Sequence, residues 1–96
     1  MSANDIIPIL REYKIKNRDK YHIINIGVFG SSARRDMDEH SDVDIVVELE
    51  SPDMFHLIGI KQDLEEQLNR PVDIVRYREK MNASLKRRIE REAIYA

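Results

Sequence analysis

The stretch GSSARRDMDEHSDVDIVV, residues 30–47, decides how this chain of 96 residues is read. Its second half alternates. Val43, Ile45, Val47 and Leu49 fall on one face of an extended strand, and Asp42, Asp44, Val46 and Glu48 fall on the other. A strand over 43–49 with its apolar side on a core therefore carries Asp42 and Asp44 on the opposite, open face. They stand about 6.6–6.8 Å apart along the strand. The first half opens with Gly30-Ser31, where a run rich in β-branched residues (HIINIGVF, 22–29) gives way to polar chain. Glycine lets the backbone approach a phosphate, and the N–H groups of a helix starting there point at it. Ser31 adds a hydroxyl. Arg34 and Arg35 follow within a turn and offset triphosphate charge.

Outward from this stretch the pattern is simple. Residues 4–18 predict a helix with Ile6, Ile9, Leu10 and Tyr13 on its apolar side, and Pro8 near its start. A short helix is expected over 31–36 and a polar loop over 38–41. Ser51-Pro52-Asp53 reads as a cap for a helix reaching about Asn69, striped by Leu57, Ile60, Leu64 and Leu68. Residues 72–77 (VDIVRY) predict a third strand, and about Asn82 to Ile94 a last helix with Leu85, Ile89 and Ala93 one turn apart. The order α-β-α-β-α-β-α predicts an α/β (α+β) fold: a small, mixed, three-stranded sheet with helices on one face. The expected organisation is one domain over residues 1–96.

Asp73, between Val72 and Ile74, belongs to the non-core face of its strand. If that strand neighbours 43–49, three carboxylates converge, which is costly without a counter-charge. A divalent cation is the natural one. Hard oxygen ligands suit Mg²⁺, held by one or two carboxylates and substrate phosphates. Two such ions, about 3.5–4 Å apart, would activate a nucleophile and stabilise a leaving group. A phosphate cradle beside a carboxylate cluster suits phosphoryl or nucleotidyl transfer from a nucleoside triphosphate, where positioning and charge neutralisation do most of the catalysis.

Other chemistries fit less well. Gly27 to Ser31 misses the nucleophile-elbow pattern, and no lysine follows Gly30-Ser31 as a Walker A loop requires. A receiver-type phosphoacceptor domain also clusters aspartates but needs five strands. His22, His40 and His56 lack metal-ligand spacing, although His40 stands just before Asp42. Lys86, Arg87, Arg88 and Arg91, interleaved with Glu90 and Glu92, read as a solvated face or a docking surface. There is no cysteine, and formal net charge is -2, so neither a disulfide framework nor general nucleic-acid binding is expected. No apolar run suits a membrane span and no leader pattern opens the chain, so the expected location is the cytoplasm.

Gly30-Ser31, ten residues, then Asp42-Val43-Asp44 resembles the signature of the DNA polymerase β-like nucleotidyltransferase superfamily. Asp73 in PVDIV matches that family's third carboxylate on a later strand. Arg35 is a departure, since relatives often carry glycine there. The chain looks most like the stand-alone minimal nucleotidyltransferase (MNT) domains encoded beside a HEPN-domain protein as antitoxin and toxin. The resemblance implies a polymerase β-like fold and an enzyme that transfers AMP from ATP to a hydroxyl of the HEPN partner. It implies Asp42, Asp44 and Asp73 as metal-binding catalytic residues, with Gly30, Ser31, Arg34 and Arg35 on the donor nucleotide. An antitoxin acting by contact alone, or transfer to a small molecule or RNA, are the alternatives. About 23 residues follow Asp73. They form one helix and no acceptor-binding domain, so the acceptor is expected to be brought by the partner.

Overall fold

Two β-branched runs lie at the centre of the computed structural model, which describes residues 2–33, 42–51 and 53–96. Ile23–Val28 forms β1 and Val43–Leu49 forms β2, paired antiparallel with Val28 opposite Ile45 and Ile23 opposite Leu49. Helix α1, Ala3–Tyr21, precedes β1, and a 3-10 turn over Gly30–Ala33 follows it. Helix α2, Met54–Leu68, leads to β3, Val72–Arg76, which lies parallel to β2. Helix α3, Ala83–Glu92, and a short strand β4, Ile94–Tyr95, complete the order. Across the sheet the strands run β3-β2-β1-β4.

The helix ends follow local chemistry. Asp5 accepts from the Ser2 backbone N–H at 2.8 Å and Asp53 accepts from the Phe55 N–H at 2.9 Å, so each supplies an acceptor to a group that the first turn leaves unpaired. Asn82 does the same for Leu85 at 3.0 Å. Helices α1 and α2 stop at His22 and Asn69, both in the left-handed region that Asn and His tolerate better than most residues. Pro8 is the sixth residue of α1, one residue deeper than in the expected helix, and it is exposed.

The odd-numbered face of β2 carries the main core. Val43, Ile45 and Val47 are fully buried against Ile6 and Leu10 of α1 and Ile60 and Leu64 of α2. Each such side chain stabilises the fold by about 1.5–3 kcal/mol relative to exposure. Tyr13 and Tyr21 of α1 both donate to the Asp63 carboxylate of α2, at 2.7 and 3.4 Å, and tie the two helices together. Burial, then Asp63, raises the Tyr13 hydroxyl pKa well above its ordinary value, so it serves as a permanent donor.

Two expectations need correction. The sheet has four strands, because the chain leaves α3 at Ala93 and Ile94–Tyr95 pairs beside Gly27–Val28. Gly27 permits this: a Cβ there would fall 2.5 Å from the Ile94 carbonyl oxygen. The helices also lie on both faces. Val46 is fully buried on the even-numbered face of β2, in a second cluster with Phe29 and with Ile89 of α3. Between the polar residues Asp44 and Glu48 of that face, Val46, with Val75 of β3, offers α3 an apolar seat. The expected short helix is a 3-10 turn as far as Ala33, and the remainder of that expectation, with the 38–41 loop, lies outside the described residues. No described helix is long and apolar enough to cross a membrane.

Because Ile89 is buried only by virtue of this second cluster, Ile89→Ala is expected to lower unfolding free energy by about 2–5 kcal/mol. Urea titration measures it. A loss below about 0.5 kcal/mol, the usual size for a surface site, would mean that α3 does not pack on the Val46 face.

Candidate active site

Asp44 is the best-anchored residue of the candidate site. Its carbonyl accepts from the Phe29 N–H at 3.1 Å, and its own N–H donates to Ser32 Oγ at 2.8 Å. Both anchors are buried, Phe29 at 3% and Ser32 at 0% exposure. The main chain at Asp44 is thereby locked to the turn after β1, and the side chain is free to face outward. Ser31, the serine singled out in the sequence, sits partly exposed in that turn. Ser32 is the structural serine. Sequence reasoning missed it because a buried hydroxyl holding one backbone N–H has no periodic signature.

The parallel register sets Asp44 directly beside Asp73. Neighbouring strands lie about 4.7–4.9 Å apart and their paired residues face the same way, so the two carboxylates share one patch. Asp42 is one step back along the strand. The electrostatics reflect this crowding. Burial raises the Asp44 carboxyl above its ordinary pKa; Asp73, and more weakly Asp42 and Glu92, push the same way, and Arg88 opposes them. Asp42 and Asp73 are exposed to solvent. The register thus sets Asp44 beside Asp73, and Asp42 is near enough to act on the Asp44 charge.

Gly30 closes the other side of the patch. Its φ is +62°, a conformation that strongly favours glycine. A Cβ there would lie 2.6 Å from Asp44 Oδ2 and 2.7 Å from Arg88 Nη2. The glycine thus brings backbone, carboxylate and guanidinium together at one point. Arg88 was read as part of a solvated basic face; it reaches the site because α3 crosses the even-numbered face of the sheet. Arg34, Arg35 and His40 lie outside the described residues. His22 and His56 stack with each other at 6.0 Å beside Glu50, at the opposite end of β2 from Asp42.

The donor set is all carboxylate oxygen, which suits a hard divalent cation. Among the described residues, no three acidic or histidine side chains close around a point as a ready-made cage. An ion held here needs substrate oxygens as well, the arrangement Mg²⁺ commonly adopts with phosphates. Neighbouring carboxylates and a nearby arginine are groups that can bind metal and polarise a polyphosphate chain.

Comparison with known proteins agrees with this geometry. The nucleotidyltransferase domain family matches residues 10–96. An inferred protein adenylyltransferase of Methanocaldococcus jannaschii is 37% identical over 95 residues, 98% of this chain and 97% of that protein. The protein adenylyltransferase MntA of Thermococcus cleftensis is 32% identical over 96 residues, 99% of this chain and 96% of that one. Among solved structures, a toxin–antitoxin with AMP-PNP is 26% identical with a TM-score of 0.71, over 99% of this chain and 72% of the other. The complex of a tri-AMPylated Shewanella oneidensis HEPN toxin with its MNT antitoxin is also 26% identical, with a TM-score of 0.62, over 97% of this chain and 66% of the other. With a family match over most of its length and the fold and carboxylate patch in place, this chain belongs to the nucleotidyltransferase domain family and is an enzyme of that class.

Proposed function

We propose that this chain, acting as a single domain over residues 1–96, is a protein adenylyltransferase that transfers AMP from ATP to a hydroxyl of a HEPN-type toxin and so serves as its antitoxin in the cytoplasm. The observation that carries this reading is the pairing of Asp44 with Asp73 beside the Gly30 turn, in a chain of this family. The AMP-PNP complex and the AMPylated HEPN toxin of its structural relatives support ATP as donor and a HEPN protein as acceptor.

In this reading Asp42, Asp44 and Asp73 hold Mg²⁺, two ions in the full site. Bound there, Mg²⁺ neutralises the phosphate oxygens and increases the acidity of the acceptor hydroxyl. The chain's own groups do the positioning. The Gly30-Ser31 backbone and the Ser31 hydroxyl cradle the phosphates, and Arg34 and Arg35, next in sequence, offset their charge. The buried anchors Phe29 and Ser32 hold the Asp44 backbone in place. Asp73, on the neighbouring strand, orients the acceptor hydroxyl and takes its proton. The hydroxyl oxygen bonds to the α-phosphorus, the bond from that phosphorus to the bridging oxygen breaks, and pyrophosphate leaves. AMP remains on the acceptor as a phosphodiester.

Three outcomes are expected. Mg²⁺ and ATP together raise the unfolding free energy by about 2.7 kcal/mol at 100 times the dissociation constant, and ATP with EDTA does much less. Equal thermal shifts with and without metal would count against the carboxylate site. Asp44→Asn abolishes transfer to the co-expressed partner, read as loss of adenylate-sized mass additions, and stabilises the protein without metal. The sign follows from linkage. A carboxyl whose folded pKa is raised contributes stability below its unfolded pKa and loses it as pH rises through the folded value. The variant's melting temperature therefore exceeds wild type at neutral pH, and the advantage vanishes near about pH 3, where both side chains are neutral. A lower melting temperature at neutral pH would show that Asp44 is structural. Finally, Asp73→Asn lowers turnover far more than it weakens ATP binding, because the group acts on the acceptor in the transition state. Normal turnover with weak ATP binding would reverse that assignment.

A further inference from the structure

Lys86 of α3 is tied to Glu79 and Tyr77, and Arg88 is held on the side of the helix that faces Gly30. Its Nε donates to Glu92 Oε2 at 3.2 Å, one helical turn on. Its guanidinium carbon lies 5.6 Å from the centre of the Phe29 ring, and Phe29 is itself 3% exposed. Its Nη2 end reaches over Gly30 beside Asp44. The side chain is still 46% exposed, so a ligand can reach it, whereas Arg91 on the same helix is 75% exposed and meets Glu92 only at 3.9 Å. Glu92 on its own helix and the Phe29 ring thus hold one planar cation beside Gly30.

The sheet order says which end of a triphosphate would meet it. Across the site lie Asp73 on β3, Asp44 on β2 and Gly30 after β1, in that spatial order. Displacement at phosphorus needs the attacking and leaving oxygens roughly in line, on opposite sides of the phosphorus. With the acceptor hydroxyl at Asp73, the leaving group lies on the Gly30 side. A guanidinium presents a donor fork that matches two phosphate oxygens at once. We infer that Arg88, held by Glu92 and Phe29 over Gly30, binds the β- and γ-phosphates and stabilises the departing pyrophosphate. The inference rests on the nucleotidyltransferase reading of the site. In the absence of nucleotide the same guanidinium is a counter-charge for Asp44.

The test uses the full chain with Mg²⁺ and two probes, inorganic pyrophosphate and AMP, in calorimetric titrations. Arg88→Gln is expected to weaken pyrophosphate binding at least about tenfold, the scale of one lost charge-assisted hydrogen bond, and to leave AMP binding unchanged. Arg88→Lys keeps the charge but loses the fork and should fall between. Arg91→Gln should match wild type for both probes. Pyrophosphate binding by Arg88→Gln equal to wild type, or equal weakening of both probes, overturns the assignment. If the glutamine variant does not fold, the lysine variant decides: unchanged pyrophosphate affinity there overturns it. A wild-type chain that binds no Mg²⁺-ATP at all overturns the underlying nucleotidyltransferase reading, and this inference with it.

Discussion

Like charges placed side by side govern the design of this protein. Parallel pairing of β2 with β3 puts Asp44 beside Asp73, and Asp42 lies one step away on the same face. In a metal-free protein that arrangement is unfavourable, and it adds to burial in raising the pKa of Asp44. The fold tolerates it because the opposite face of the same strand is wholly apolar. Val43, Ile45 and Val47 are buried against two helices, so the strand cannot rotate its carboxylates away without exposing the core. Hydrophobic burial on one side thus enforces electrostatic crowding on the other.

Precision at Asp44 comes from the backbone rather than from side-chain packing. Phe29 and Ser32 hold its carbonyl and N–H from a turn whose Gly30, at φ +62° and with Asp44 and Arg88 close against it, has no room for a side chain. The Asp44 carboxylate rests against that same Gly30, so one short segment sets both the backbone and the side-chain position of Asp44. Support further out is conventional. Tyr13 and Tyr21 meet Asp63 between the helices, and Val72 at the start of β3 donates to the Glu65 carboxylate at 3.0 Å. That last bond anchors β3 one residue before Asp73.

Helix α3 changes the character of the second face. A sheet with helices on one side only would leave its carboxylates on an open plane. With α3 seated on Val46 and Phe29, the patch is flanked by a helix, and Arg88 and Glu92 are brought near Asp44. Tyr77 at the end of β3 donates to Glu90 of α3 at 2.9 Å, which braces that helix against the strand carrying Asp73. Glu90, first through this bond, pushes the Tyr77 hydroxyl pKa up to about 12.

The strand over 43–49 and the outward placing of Asp44 were legible from alternation, because a strand's side chains change face at every residue. The start of α2 followed from the cap at Ser51-Pro52-Asp53, a local chemistry that needs no tertiary context. The Gly30-Ser31 turn was legible through its spacing to Asp42. What the tertiary structure decided is what depends on contacts distant in sequence. Val46 looked like a solvent-facing residue among acids, and only the arrival of α3 some 40 residues later made it core. Ile94–Tyr95 looked like the end of a helix, since two residues show no period; Gly27, far upstream, made room for them as a strand. Ser32 and Arg88 carry no local mark of their roles, because a hydroxyl that holds a backbone N–H and a guanidinium that reaches across a sheet are defined only by what the fold places opposite them.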